Sequence, residues 1–316
     1  MKRHFLKTLF GLAAGLGLSA LATPVLAEYN PKLLRIGFQK SAGLLSLIKA
    51  QGTLEKRFGA QGLEVKWVEF PAGPQLLEGL NVGAIDFGYV GEAPPIFAQA
   101  AGASFVYLGH EESSPGAEAV IVPKGSPLQR VEDLKGKKVA LNKGSNVHYL
   151  LVKLLEKHGL KYSDIQPVFL PPADARAAFE RGSVDAWVIW DPYTAAAEKQ
   201  INARILADGK GVVNNYQFFL AERQFAQKRG DVIQQLFDEL QKQGQSITRN
   251  YKDAAAQLAP LQGLDPAVVE HSIRRYSNSI KPINNAVLAQ QQKLADTFFE
   301  LKLIPKEIKV REASLN

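Results

Sequence analysis

The sequence predicts an α/β protein of two lobes with a long helical C-terminal part. Three observations lead there. Short apolar strand patterns alternate with helical ones up to about residue 220. The alternation is interrupted at the Pro/Gly-rich stretch 123–127, a candidate boundary, and then restarts. Past residue 220 the apolar spacing is helical. With 316 residues, 46% of them hydrophobic, the chain can build two cores and is too apolar for disorder.

The first 27 residues stand apart from that fold. Lys2, Arg3 and Lys7 form a basic start with no acid, residues 9–21 are apolar and small, and Ala27 closes a small-residue cleavage pattern before Glu28. This reads as a cleaved export signal. Its apolar stretch is shorter than the roughly 20 residues of a spanning helix. The mature chain, 28–316, is therefore expected to be exported and soluble. The formal charge of +7 falls to +4 once the three leader bases are gone, and no cluster of four or more Lys or Arg stands out in the rest. Nucleic-acid binding, which needs a basic stripe and a readout element, is not expected. The absence of cysteine excludes disulfides, Cys-ligated metal, a thiol nucleophile and a lipidated N-terminal cysteine.

The elements follow in order. Residues 33–39 read as a strand and 44–58 as a helix. Residues 64–70 are a nearly continuous apolar strand, the pattern of a strand covered on both faces. Then come a helix at 75–82, a strand at 86–90 ending at Gly91, a helix at 95–101 and a strand at 105–109. After the strand at 119–122, the second half gives strands at 138–141, 167–170 and 185–190 and helices at 147–158 and 173–181. Residues 216–220 read as a strand crossing back. Helices are expected at 231–249, 252–261, 266–275 and 284–302.

No nucleophile elbow, phosphate loop, paired-histidine zinc motif or dinucleotide fingerprint is present, and no catalytic set, cofactor or metal is expected. His110-Glu111-Glu112 could supply metal ligands but lacks further partners, so a solvated loop after a strand is the favoured reading. Three junctions carry the binding chemistry. The first is Lys143-Gly144-Ser145-Asn146, which opens a helix with the stripe Val147, Leu150, Leu151, Leu154, Leu155 and His158. First-turn N–H groups lack intrahelical partners, Gly144 allows close approach, Ser145 or Asn146 can cap, and the dipole favours an anion. A plain capped helix start is the commoner explanation of the same residues. His148 lies off the stripe, either donating to an anion or facing water.

The second junction is Asp185–Tyr193. Trp187 and Ile189 share one strand face, Val188 and Trp190 the other. Trp190 sits at a strand carboxyl end, where open α/β sheets bind ligands, and could wall an apolar tail; Trp187 is as readily a core residue. Pro192 suits a helix start with Asp191 as its cap. The third junction pairs Gln39-Lys40 with Gly91-Glu92, both at strand-to-helix turns. Gln39 donates and accepts, Lys40 supplies charge or is merely exposed, and Glu92 pairs with a cationic ligand group or serves only as a helix N-terminal acid.

Taken together, several long runs resemble the periplasmic aliphatic sulfonate-binding proteins of bacterial ABC transporters. They are RIGFQK at 35–40, WVEFPAGPQLLE at 67–78, LNVGAIDFG at 80–88, PPIFAQAAGA at 94–103, DLKGKKVA at 133–140, KGSNVH at 143–148, DIQPVFLPPADARAAF at 164–179, VDAWVIWDPY at 184–193 and IKPIN at 280–284. The resemblance implies a type II two-lobed periplasmic binding fold, each lobe a mixed sheet flanked by helices, with two crossing strands as hinge. Lobe 1 would be 28–119 plus 221–316, and lobe 2 would be 120–220. It implies reversible capture of an alkanesulfonate in the interlobe cleft, delivery to a membrane permease, a periplasmic location and a monomeric state. The implied ligand-binding residues are Gln39, Lys40, Gly91, Glu92, Gly144, Ser145, Asn146, His148, Trp190 and Asp191. The family is richer in hydroxyls at 145–147 and often carries Asp or Thr at the Glu92 position. Similar proteins take taurine, nitrate, bicarbonate or thiamine precursors, and enzymes of thiamine-pyrimidine and menaquinone synthesis share the fold. A sensor passing occupancy to a membrane receptor is a third possibility.

Overall fold

The computed structural model describes residues 30–315 except 40 and 42; the expected leader at 1–27 and Lys40 lie outside the described residues. The first part of the chain runs β1 (Leu33–Phe38), α1 (Gly43–Gln51), α2 (Thr53–Gly59), β2 (Glu64–Glu69), α3 (Gly73–Asn81), β3 (Phe87–Gly91), α4 (Pro94–Ala100) and β4 (Phe105–Glu111). The middle runs β5 (Glu118–Val122), β6 (Lys138–Leu141), α5 (Asn146–Lys157), β7 (Gln166–Phe169), α6 (Pro172–Glu180), β8 (Ala186–Trp190), α7 (Tyr193–Gln200) and β9 (Arg204–Asp208). The last part runs β10 (Gln217–Glu222), α8 (Arg223–Lys228), α9 (Gly230–Arg249), α10 (Tyr251–Gln262), α11 (Pro266–Ile273), β11 (Ile280–Pro282) and α12 (Asn285–Glu300).

Two sheets result. The first has the order β11-β4-β10-β3-β1-β2, the second β7-β6-β8-β5-β9. In the first, β1 is parallel to β2 and β3, while β10 runs antiparallel between β3 and β4. In the second, β6 is parallel to β7 and β8, and β5 is antiparallel to β8 and β9. The chain passes from the first sheet to the second across 112–117 and returns across 209–216.

Alternation along the strands explains why each sheet is covered twice. Phe87, Tyr89, Phe219 and Ala221 face a core shared with α1, α2, α9 and α10. Val90, Phe218 and Leu220 face the opposite core, with α3, α4 and α12. The second sheet does the same, with Val120, Val139 and Val188 under α5, and Ala119, Ile121, Trp187 and Ile189 under α6 and α7. Each fully buried Leu, Ile or Phe contributes about 1.5–3 kcal/mol of transfer free energy.

The structure departs from the sequence reading at several elements. The helix expected over 44–58 is two helices, because Gly52 takes a left-handed conformation with φ 60°. Strand β2 touches both cores, through Val65 and Trp67 on one face and Val68 on the other, yet it is an edge strand and those side chains are only half-buried. The expected loop at His110-Glu111 is the end of β4; pairing with β10 and β11 buries both residues. The C-terminal part is not wholly helical, since the short β11 adds to the β4 edge. Strand β9 and helix α8 also went unread. The 123–127 stretch follows β5, past the point where the chain has already changed sheets.

Candidate functional site

The carboxyl ends of β1 and β3 in one sheet and of β6 and β8 in the other converge on a single cleft. That is where parallel strands leave ligand-binding room. The cleft encloses about 720 Å³ of empty space, open solvent at its mouth included. The first sheet and its helices line it with Gln39, Ser41, Gly43, Tyr89, Gly91, Pro94 and Glu111. The second contributes Ser145, Asn146 and Trp190. The returning passage adds Asn215 and Gln217, and α11 with the turn after it adds Ser272, Tyr276 and Asn278. Among the described residues lining the cleft there is no lysine or arginine. An anion held here would meet neutral donors and helix N-termini.

Of the sequence-predicted residues, Gln39, Gly91, Ser145, Asn146 and Trp190 line the cleft, while Glu92, Gly144, His148 and Asp191 do not. Gln39 is fixed by a hydrogen bond that its Nε2 donates to Tyr89 O at 3.2 Å. Its Oε1 and remaining N–H are left for other partners. Trp190 is half-buried and meets the Tyr193 ring edge-on at 6.2 Å, an apolar wall beside the polar floor.

Asn146 joins the lobes. Its Oδ1 accepts from Ala93 N at 3.2 Å, and its Nδ2 donates to Asn215 Oδ1 at 2.5 Å. Gly91 is required opposite it, because a Cβ there would overlap the Asn146 amide. Asn215 is held in turn by Nδ2 donating to Ser114 O at 2.9 Å and by accepting from Gln217 Nε2 at 2.9 Å. One side chain from α5 thus ties the start of α4 to the returning passage. Of the Asn146 amide, expected as an anion donor, Oδ1 and one Nδ2–H are taken by the protein; the second Nδ2–H and the backbone N–H of its helical turn remain on the cleft side.

His148 lies elsewhere than either sequence reading placed it. It is fully buried and neither donates to the cleft nor faces water. Its Nδ1 accepts from Gly144 N at 3.2 Å, and Nε2 lies 3.0 Å from Tyr162 OH. Its ring stacks on Phe97 at 6.2 Å and packs against Phe298 at 5.6 Å. Burial, with Lys143 adding to it, lowers its pKa to about 4, so the ring is neutral with the proton on Nε2. Gly144 N–H is thereby withdrawn from any ligand. Ser145 is the N-cap but makes no capping bond; its hydroxyl donates back to Asn142 O at 2.7 Å.

Asp191 is fully buried behind the cleft. Its Oδ1 accepts from Ala195 N at 2.9 Å, and Arg275 Nη1 reaches its carboxylate at 3.2 Å. Arg275 also binds Glu198 at 2.6 Å, and Tyr276 OH donates to Asp191 O at 3.0 Å. This clamps α7 to α11. Burial pushes the Asp191 carboxyl up to about 7, with Arg275 pulling the other way. Pro192 flanks α7 rather than opening it.

Glu92 is turned away from the cleft. Its Oε2 accepts from Tyr216 N at 3.0 Å, and its pKa is raised by burial to about 7. The acid that does line the cleft is Glu111, which accepts from Tyr89 OH at 2.7 Å and from Asn278 N at 2.8 Å. Sequence reasoning missed Glu111 by ending its strand two residues early. It also missed Tyr89, Asn215, Tyr276 and Asn278, which reach the cleft only through pairing of distant strands. A signal existed for Tyr89 and Glu111: each is a polar group at the carboxyl end of a strand pattern.

Comparison with known proteins fits this architecture. The family model described as NMT1/THI5 like matches residues 58–254. A putative aliphatic sulfonates-binding protein of Escherichia coli K12 is 47% identical over 95% of this chain and 93% of its own length. One of Bacillus subtilis 168 is 35% identical over 89% of this chain and 85% of its own. The solved alkanesulfonate-binding protein SsuA of Xanthomonas axonopodis pv. citri, bound to MOPS, superposes with a TM-score of 0.87 at 44% identity, covering 91% of this chain and 99% of that one.

Proposed function

The chain belongs to the family of aliphatic sulfonate-binding proteins, and from that premise we propose that it captures alkanesulfonates reversibly in the interlobe cleft and delivers them to the membrane permease of an ABC importer. The site of action is the periplasm, reached through the export signal at 1–27. The lobe built on the first sheet and the lobe built on the second, joined by the passages at 112–117 and 209–216, are the bodies that close on the ligand. Residues 118–119 therefore go with lobe 2 and 217–220 with lobe 1, rather than as the sequence bounds 28–119, 120–220 and 221–316 had them.

The observation that carries this reading is the meeting of the α1 and α5 N-terminal turns on one cleft lined by neutral donors and by Trp190. Three sulfonate oxygens need donors and no acceptor. Ser41, the Gln39 amide and the first-turn N–H groups of both helices suit them. A sulfonate is ionised at every physiological pH, so it needs no proton from the protein. Micromolar affinity requires about −8 kcal/mol. Charge-assisted hydrogen bonds of about 1.5–3 kcal/mol each and burial of an apolar tail at about 25 cal/mol per Å² bring that within reach.

Glu111 favours a second, narrower reading within the same site. A carboxylate on the cleft wall repels the sulfonate end and attracts a cationic tail, so a zwitterionic sulfonate such as taurine would lie with its ammonium group towards Glu111. The test is a thermal-shift screen of the mature chain with alkanesulfonates of several lengths, taurine, sulfate esters, nitrate and thiamine precursors. Binders raise the melting temperature in step with RT ln(1 + [L]/Kd). Silence from every sulfonate overturns the proposal, and a shift with taurine well above that with ethanesulfonate selects the narrower reading. Turnover of a bound compound would instead revive an enzyme on this fold.

A further inference from the structure

Hydrogen-bond donors and acceptors are not spread evenly over the cleft. Tyr89, on β3, and Tyr276, in the turn after α11, both line it. Each has already spent its one phenolic hydrogen inside the protein. Tyr89 OH donates to Glu111 Oε2 at 2.7 Å, and Tyr276 OH donates to Asp191 O at 3.0 Å. Burial raises both phenols well above their ordinary range, so each keeps that hydrogen at any working pH. What stays free on each hydroxyl is the acceptor side of the oxygen. Asn278 adds to this wall. Its Nδ2 hydrogens go to Ile273 O at 3.2 Å and to Tyr276 O at 3.1 Å, which leaves Oδ1 as an acceptor.

Glu111 holds this arrangement in place. Its Oε1 accepts from Asn278 N at 2.8 Å, and Ser277 is a further side-chain donor to it. Donors on both oxygens keep it the acceptor of the Tyr89 bond. At 2% exposure the acid offers a ligand little surface of its own, so a bound chain on this wall meets chiefly the phenol oxygens. The donors that suit a sulfonate come from Ser41, the Gln39 amide and the first turns of α1 and α5. A ligand that uses both sets carries an acceptor group at one end and a donor group on its chain. When the lobes close over a purely alkyl chain and exclude water, the acceptors of the wall go unpaired.

We propose that Tyr89 and Tyr276 are specificity-determining residues whose oxygens accept a hydrogen bond from the chain of the ligand, so that the cleft prefers sulfonates bearing a hydroxyl or ammonium group to unsubstituted alkanesulfonates. This rests on the sulfonate reading above. It differs from attraction of a cation by Glu111, because a phenol oxygen accepts from a neutral hydroxyl as well as from an ammonium group. A neutral hydroxyl therefore isolates the effect from charge. The comparison is stringent, since a methyl group in place of the hydroxyl buries more apolar surface and would bind better against a plain apolar wall.

The experiment is titration calorimetry of the mature chain, in a sulfonate-free buffer, with 2-hydroxyethanesulfonate and with propane-1-sulfonate, which matches it in size. The wild-type chain should bind the hydroxyl ligand at least about tenfold more tightly. Tyr276→Phe keeps the ring and removes one acceptor, so it should narrow that ratio, and adding Tyr89→Phe should bring it within about threefold. A merely structural role would weaken both ligands alike and leave the ratio as it was. A second pair of ligands needs no variant. 2-Methoxyethanesulfonate has the chain oxygen without its hydrogen, and it should bind no better than butane-1-sulfonate. An alkyl ligand that binds the wild type as tightly as the hydroxyl one overturns the proposal and leaves the sulfonate reading standing. A ratio unchanged in the double variant, or a clear preference for the methoxy ligand, does the same. Silence from all four sulfonates overturns the sulfonate reading and this proposal with it.

Discussion

The helices α1 and α5 both bring their N-terminal turns to the cleft, one from each lobe, and they differ in how much of that turn is free. At α5 most of the local side-chain groups are taken. Gly144 N–H goes to His148, the Ser145 hydroxyl to Asn142 O, and the Asn146 amide to Ala93 and Asn215. At α1, Ser41 and Gly43 line the cleft, and among the described residues the nearby side-chain anchor is the Gln39 amide on Tyr89 O. The helix whose sequence advertises an anion site is thus the one whose polar side chains build the lobe junction. A helix start binds a ligand in proportion to what its own residues leave unsatisfied.

Two substitutions test that contrast where the effects are largest. Ser41→Asp places a carboxylate at the open turn. Ser41 stands just before α1, where an acid suits the positive end of the helix dipole, so the fold is kept, while like charge against a sulfonate costs several kcal/mol. The expected result is a loss of affinity of at least about a hundredfold, near 2.7 kcal/mol, with little change in melting temperature. Calorimetry showing a loss under threefold would remove α1 from the site. Next, Asn146→Ala strands the buried Ala93 N–H and leaves Asn215 Oδ1 with Gln217 alone at the lobe junction. Unpaired buried groups cost about 1–3 kcal/mol each, so stability in urea should fall by about that much and affinity by about tenfold. Full affinity in this variant would mean that the lobes close without their latch.

What the sequence disclosed divides along the same line. Strands β1, β3, β6 and β8, and the helices after them, were readable because each carries its own periodicity and each ends at a Gly, Ser or Pro junction. The position of those junctions on one cleft followed from α/β topology. Their partners were not readable. Whether His148 faces water or Gly144 N–H depends on Phe97 and Phe298, which come from α4 and α12. Whether Glu92 or Glu111 lines the cleft depends on β10 lying between β3 and β4. The long runs shared with the sulfonate-binding family supplied the ligand class, which no single junction carries.

His148 offers a smaller test, and one with a pH signature. Its folded pKa of about 4 lies below the ordinary 6.5, so the unfolded chain binds the proton more readily between those values. Stability that is complete above pH 6.5 is lost as the pH falls towards 4, by up to about 3 kcal/mol. His148→Phe keeps the ring packing but strands Gly144 N–H, at a cost of about 1–3 kcal/mol at pH 7. The wild type's advantage over this variant should be greatest at pH 7 and should shrink by pH 4.5, as read by urea unfolding. A gap that stays constant with pH would place the proton of His148 elsewhere.

The smallest effect is expected from Ser145→Ala, and it separates the two helix starts most sharply. The hydroxyl is the obvious anion donor by sequence, at the cap of an amphipathic helix on the cleft wall. Its one hydrogen is directed to Asn142 O at 2.7 Å, so a ligand would have to break that bond to receive it. Removing it should lower stability by about 1 kcal/mol, the worth of a single neutral hydrogen bond, and change sulfonate affinity by less than about threefold. A tenfold loss would show that the hydroxyl turns from Asn142 to the ligand on binding, and α5 would then rank with α1 as an anion-holding turn.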